Sequence, residues 1–248
     1  MKKNKHFDLN HPDTTINRKD EIEKKPFMRR MYVEWYQLLK QSLPAETKCI
    51  VELGSGPGFI SEIIPQAISS DILFLPYLDV VMNGRLLPLR AQCLDALLMM
   101  DVFHHISDAE SFFYEVDRVL RVGGRLVMIE PWVTAWSKWV FTRFHHEPIN
   151  MEVTEWAFKP DGPLTGANQA LPWIVFDRDR SQFEKKFSNM NVLQVLPMMP
   201  LTYMLGGGFS HHVSLPEFTY PFFRNMEKRL MHPNKNGMFA LIVVEKIK

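Results

Sequence analysis

The stretch that most constrains this 248-residue chain is Val51-Glu52-Leu53-Gly54-Ser55-Gly56-Pro57-Gly58-Phe59. It follows the apolar run Cys49-Ile50-Val51 and leads into Phe59-Ile60-Ser61-Glu62-Ile63-Ile64, so it reads as strand, glycine loop, helix. Glycine permits positive φ and lets backbone come close to a ligand, while a helix N-terminus leaves N–H donors unpaired. A dinucleotide-binding fingerprint, G-x-G-x-x-G, needs its third glycine where this chain has Phe59. Here the glycines alternate at 54, 56 and 58, and Glu52 stands two residues before the first.

Beyond the loop, strand and helix patterns alternate, which predicts an α/β fold with a mostly parallel sheet and helices on both faces. Strands are expected over 48–53, 67–73, 79–82, 95–101, 125–130, 191–196 and 238–245. The segment Asp95-Ala96-Leu97-Leu98-Met99-Met100-Asp101 is apolar throughout its middle, as a strand covered on both faces should be. Ser107-x-x-Glu110 reads as a capping box opening a helix whose face is Phe112, Val116, Val119 and Leu120, with Gly123-Gly124 ending it. Pro65 limits the helix after the glycine loop to about two turns. Phe27, Met31, Trp35 and Leu38-Leu39 predict a helix over 21–43, interrupted at Pro26; the polar residues 1–20 read as a poorly ordered or surface-wrapped lead-in. Further helices are expected over 178–187 and 221–231. Residues 132–175, rich in Trp, His, Pro and Gly, show no periodicity and read as an elaborated loop cap. The expected division is an N-terminal arm and helix over 1–45 and a main domain over 46–248, with a cap insertion at about 132–175.

Composition narrows the function classes. A net charge of +1 argues against a general nucleic-acid binder. The first thirty residues hold nine Lys or Arg against five Asp or Glu, a local excess that reads as a solvated arm. Cys49 and Cys93 are too few for a disulfide framework or a thiolate zinc site. No run of about 18 apolar residues predicts a membrane span, and the basic N-terminus lacks the apolar stretch of a secretory signal, so a cytoplasmic location is expected.

Four further segments follow the glycine loop in order: Leu87-Pro88-Leu89, Leu94-Asp95-Ala96-Leu97-Leu98, Val102-Phe103-His104-His105-Ile106 and Val119-Leu120-Arg121-Val122-Gly123-Gly124-Arg125. With the loop they resemble the successive motifs of class I S-adenosylmethionine-dependent methyltransferases, from about residue 48 to about 130. The resemblance implies a Rossmann-like seven-stranded sheet and S-adenosyl-L-methionine as cofactor. Carried across, Glu52, Gly54, Ser55, Gly56 and Gly58 would hold the methionine end. Asp71 stands where the family places a carboxylate accepting both ribose hydroxyls, a task suited to charge-assisted bonds. Asn83 takes the place of the usual Asp against the adenine amino group, with the Gly84 N–H beside it. Asp101, Val102 and His105 would lie beside the cofactor and its methyl group.

One departure is plain: only Ile72 to Tyr77 join the second and third strands, where a crossover normally takes a dozen residues. Either this is an abbreviated loop or the second strand lies elsewhere. The truncated form, with Glu130-Pro131-Trp132 and Gly162-Pro163-Leu164-Thr165-Gly166-Ala167-Asn168, resembles a small bacterial type-11-like subgroup associated with surface-polysaccharide gene neighbourhoods.

A sulfonium methyl is already an electrophile, so positioning an acceptor can supply on the order of 7–11 kcal/mol, and a base adds about 10²–10⁴-fold. His145 and His146, in His145-His146-Glu147-Pro148, are the candidate catalytic bases; a structural histidine pair is the alternative. His104-His105 and His211-His212 compete with them. No metal is expected, because adjacent histidines project differently and no i, i+4 pair supports a site. Trp132, Trp136, Trp139 and Phe141 are expected to pack the cap, and Trp173 to line the substrate entrance. The expected activity is methyl transfer to an O or N atom of a small-molecule or glycolipid-type acceptor. The alternative is a catalytically inactive cofactor-binding or regulatory protein.

Overall fold

In the computed structural model, residues 10–144, 147–159, 162, 164–207 and 215–248 are described. Seven strands share one sheet: β1 (Ile50–Leu53), β2 (Ala67–Asp71), β3 (Val80–Val81), β4 (Leu94–Met100), β5 (Leu120–Pro131), β6 (Met190–Met198) and β7 (Phe239–Lys246). Their order is β3-β2-β1-β4-β5-β7-β6. The pairs from β3 to β5 are parallel, and β7 runs antiparallel to both β5 and β6. The parallel strands therefore end together, and the loops after β1, β2 and β4 meet at one edge.

Strand alternation sorts the core into two layers. Along β4, Leu97 and Met99 enter one, while Ala96, Leu98 and Met100 enter the other. On the first face α3 (Ala109–Val119) packs Phe112, Phe113 and Val116 with Phe103, Phe176 and Phe183. On the second, α2 (Pro26–Gln41) packs Phe27, Met31, Trp35 and Leu39. Burying each such side chain stabilises the fold by roughly 1.5–3 kcal/mol.

The sequence-based boundaries shift in ways that have physical reasons. From residue 12 the expected disordered lead-in is a helix, α1 (Pro12–Lys24), opened by His11, whose Nδ1 accepts from Asp13 N at 3.2 Å. Its buried residues are only Thr14, Thr15 and Ile22, too few to show apolar periodicity. Pro26 makes α2 a new helix rather than a continuation. The cap of α3 is Asp108, not Ser107: Asp108 Oδ1 accepts from Ser111 N at 3.0 Å. Gly123-Gly124 lie inside β5 rather than ending α3, at a bulge where β5 carries extra residues opposite β4. After the glycine loop there is one 3₁₀ turn, Ile60–Glu62, instead of two helical turns.

The connection between β2 and β3 is an abbreviated loop. β3 pairs in parallel with β2 at Ser70↔Val80 and Asp71↔Val81. The Asp79 carboxylate pins it by accepting from Ser69 N at 2.8 Å and Ser69 Oγ at 2.7 Å. The cap, expected as loop, contains α4 (Ala135–Phe144), started by Thr134, whose N–H donates to Ser137 Oγ at 2.8 Å. Trp132 and Phe141 are buried and Trp136 stacks on Trp139, so these rings pack the cap as expected. Trp173 packs instead against the α3-side core.

Candidate active site

The glycine loop is shaped by close approaches. Gly54 (φ +71°) lies so near Val102 that a Cβ would stand 2.5 Å from Val102 Cγ2. Gly56 (φ +47°) is different: an added Cβ would make only ordinary contacts, at 3.8 Å or more, so its left-handed backbone rather than crowding calls for glycine. Asp71 ties the loop to the β2–β3 connection, Oδ2 accepting from Gly56 N and Oδ1 from Leu73 N, each at 2.9 Å. The Tyr77 hydroxyl donates to Gly56 O at 3.1 Å. Ser55 N donates to Ser70 O at 2.8 Å, and Ser70 N returns a bond to Ser55 Oγ at 3.1 Å.

A cavity of about 710 Å³ opens above this loop. Its wall includes Glu52, Gly54, Ser55, Gly56, Asp71, Asn83, Gly84, Asp101, Val102 and His105, ten of the positions singled out from the sequence. Gly58 is not among them. It forms a turn to Ser55 O, and its α-carbon faces Tyr36, whose hydroxyl a Cβ would meet at 2.1 Å. Gly58 thus admits α2 to the loop. Asn83 lines the cavity, but its Oδ1 already accepts from Arg85 N at 3.0 Å. His145 and His146 lie outside the described residues. The sequence reading missed Thr15 and Arg18 from α1, Met28, Met31 and Tyr32 from α2, Glu147, and Tyr203. The Met28-Met31-Tyr32 spacing on an apolar helix face was the available signal for α2; Glu147 carried none of its own.

Burial sets the charges of the wall. Enclosure pushes the Glu52 carboxyl up to about 7, against hydrogen bonds from the Ser55 and Tyr36 hydroxyls that pull it down. Burial also raises Asp71, held back by the Leu73 and Gly56 N–H groups. Asp101, in the left-handed region at φ 60°, is pushed up to about 7 by burial, with the His104 charge opposing. For His104, burial favours the neutral ring, but hydrogen bonds to Glu130 and Glu147 outweigh it and hold the pKa well above the usual value. Burial and the neighbouring His104 charge lower His105 to about 4. Glu147 is carried far below the ordinary range by His104, despite its burial.

The residues present suit an adenosyl amino-acid cofactor. Among the described residues, Glu52 Oε2 is buried and has no hydrogen-bond partner, which an ammonium group would satisfy. Gly56 brings its backbone to the cavity wall without a side chain between it and a ligand. Each Asp71 oxygen has accepted one backbone N–H and keeps capacity for a second donor.

Residues 51–128 match the family described as a methyltransferase domain. That segment runs from β1 into β5 and carries the glycine loop, Asp71, Asn83 and Asp101: a methyltransferase domain. The chain shares its fold with a Thermotoga maritima S-adenosylmethionine-dependent enzyme described as a possible histamine N-methyltransferase: 16% identity, 95% and 98% of the two chains covered, TM-score 0.56. It also shares it with the Streptomyces coelicolor geranyl diphosphate C-methyltransferase in complex with Mg2+, geranyl diphosphate and S-adenosyl-L-homocysteine: 14% identity, 88% and 82% covered, TM-score 0.54. Identities this low establish the fold and nothing finer. No curated protein matches the sequence. No described helix is long and apolar enough to cross a membrane.

Proposed function

We propose that this methyltransferase transfers a methyl group to an oxygen or nitrogen atom of an acceptor that carries an apolar portion, a small molecule or a glycolipid-type precursor. The observation that carries the reading is the composition of one continuous cavity. Glycine-loop backbone and three carboxylates line part of it, while Met28, Met31, Val140, Phe141, Phe144 and Met204 line another part. An apolar wall beside a few placed polar groups is how a pocket takes an amphipathic ligand. The geranyl diphosphate enzyme that shares the fold acts on a ligand with an apolar chain and a charged head, and this supports the acceptor class by analogy.

Bound S-adenosylmethionine would supply its sulfonium methyl as the electrophile. In this reading Glu52 holds the methionine ammonium, the Gly54–Gly56 backbone passes under the carboxylate, and Asp71 accepts from the ribose hydroxyls. Gly84 and Asn83 flank the adenine; the Asn83 amide oxygen keeps one acceptor site after its turn. Asp101 takes the acceptor proton, because its carboxyl sits near 7 on the cavity wall. His145 and His146 stay as candidate bases on sequence grounds. Tyr32, Phe141 and Tyr203 exclude water from the methyl's path.

The test is calorimetric titration with S-adenosylmethionine and S-adenosylhomocysteine, with NAD as control, followed by label transfer from methyl-labelled cofactor. The expected result is saturable binding of the adenosyl ligands alone and label incorporation favouring amphipathic glycan-lipid precursors over their water-soluble headgroups. Equal transfer to both would remove the apolar portion from the reading. Binding without transfer to any hydroxyl or amine acceptor would favour the inactive, regulatory alternative.

A further inference from the structure

Two imidazoles and one carboxylate converge at the cavity wall. His104 and His105 share the 3₁₀ turn Phe103–His105, with ring centroids 4.2 Å apart. Both Nδ1 atoms are committed to fixed partners: His104 Nδ1 lies 2.9 Å from Glu130 Oε2 and His105 Nδ1 3.0 Å from the Gly166 carbonyl oxygen. A carbonyl can only accept, so His105 carries its proton on Nδ1 and presents a lone pair at Nε2. Both Nε2 atoms turn to Glu147, His104 Nε2 at 3.3 Å from Oε2 and His105 Nε2 at 3.7 Å from Oε1. One ligand atom from each residue lies within 4.8 Å of the other two.

An ion pair explains only half of this. His104 and Glu147 satisfy each other, but His105 Nε2 aims at the same carboxylate from beyond hydrogen-bond reach. A tetrahedral ion with bonds of about 2.0–2.1 Å holds neighbouring ligand atoms about 3.3–3.4 Å apart. The two Nε2–oxygen separations stand within a few tenths of an ångström of that edge.

We propose that His104 Nε2, His105 Nε2 and the Glu147 carboxylate bind a divalent transition-metal ion of the zinc type, leaving a coordination position open to the cavity. The ion takes the place of the proton that otherwise joins His104 to Glu147. The outer shell is already built. Glu130 is fully buried and accepts from Val102 N at 2.8 Å and Phe103 N at 2.7 Å, so the group orienting the His104 ring is itself fixed. Gln169 Nε2 steadies Glu147 Oε2 at 3.1 Å. Two imidazoles with one carboxylate suit zinc, cobalt or ferrous iron, whereas calcium and magnesium take oxygen shells. The site was hidden in the sequence because 42 residues separate its halves and because adjacent histidines were expected to diverge.

The proposal goes beyond the methyl-transfer reading and is tested without it. Full-length protein stripped with a chelator is titrated with Zn2+ by calorimetry and with Co2+ by visible absorption. One ion per chain is expected, with cobalt bands of a low-coordinate site. Glu147→Gln and His105→Ala should each weaken Zn2+ binding at least about tenfold, while the double substitution of His211 and His212 to Ala leaves it unchanged. Circular dichroism shows whether each variant is folded. Should the variants fail to fold, anomalous diffraction from Zn2+-soaked wild-type crystals decides, with a peak expected between the two Nε2 atoms and Glu147. Absence of that peak, or Zn2+ binding unaffected by both Glu147→Gln and His105→Ala, would overturn the proposal. Cofactor titration on the same samples reports separately on methyl-donor binding.

Discussion

The two ends of the cavity are built by different rules. The glycine-loop end comes from chain segments at the ends of neighbouring parallel strands: 52–56 after β1, Asp71 at the end of β2, and 101–102 after β4. Its contacts are largely backbone contacts, and Asp71 shapes the loop by accepting from Gly56 N. The other end is assembled from α1, α2, α4, Glu147 and Tyr203, segments far apart in the sequence that meet only in the finished fold. The first end is a property of the sheet, whereas the second is a property of the chain's wrapping. Substitutions at the two ends should therefore separate cofactor affinity from turnover.

The largest effect is expected at Gly54. A valine there must adopt a left-handed backbone and push against Val102, costs of about 1–2 and 1–3 kcal/mol. Gly54→Val should weaken cofactor binding by about 10²-fold or more in calorimetry; wild-type affinity would detach the loop from the ligand. At the other end Glu147→Ala should cut turnover on the order of 10²-fold by loosening the acceptor's surroundings, with cofactor affinity within about threefold of wild type. A parallel loss of both quantities would dissolve the distinction between the ends. Asp71→Ala is expected to cost about 1–3 kcal/mol of cofactor binding, while Asp71→Asn, which can still accept from Gly56 N, should lose less. If the two variants lose equally, the contribution of Asp71 lies in its charge and not in holding the loop.

The smallest effect is one of pH. Glu52 rises from 4.5 to about 7 in the folded, ligand-free protein. Its raised pKa means the folded state holds a proton that the unfolded state has released. The stability it contributes is complete below pH 4.5, declines as pH rises, and is gone once pH has passed through about 7. Cofactor binding should run the other way, because the ammonium needs the ionised form. Affinity is expected to strengthen up to about tenfold per pH unit below 7 and then level off. Glu52→Gln should flatten both profiles in thermal unfolding and calorimetry; unchanged slopes would place the titrating group elsewhere.

The unequal legibility of the two ends has the same origin. Glycines that need positive φ, a buried apolar strand such as β4 and the α3 face of Phe112 and Val116 are local requirements, and a linear reading recovers them. The seven strands were legible in this way, whereas ten of the wall residues came from the family resemblance. Gly58 stands apart from the cavity wall, and a glycine required for helix packing against Tyr36 looks the same in sequence as one that faces the cavity. α1 was invisible because so few of its residues are buried. α4 was missed because its aromatic residues occupy both its buried and its exposed sides: Phe141 is inside, while Trp139 and Phe144 are largely exposed. Glu147 became a site residue only through His104 and His105, a contact that no spacing rule reaches.

The docking of α2 also ties together parts of the chain that are far apart in sequence. Trp35 Nε1 donates to Met199 Sδ at 3.0 Å, and its ring meets Phe239 of β7 at a centroid distance of 4.8 Å. The tryptophan of α2 thus completes its surroundings only when segments far along the chain have been placed. Until then Phe27, Met31 and Trp35 stand as an uncovered apolar stripe on a nascent chain. Contacts so distant in sequence slow folding and lengthen exposure to aggregation. For this protein, the lifetime of that stripe is set by how quickly the β6–β7 side of the sheet closes on α2.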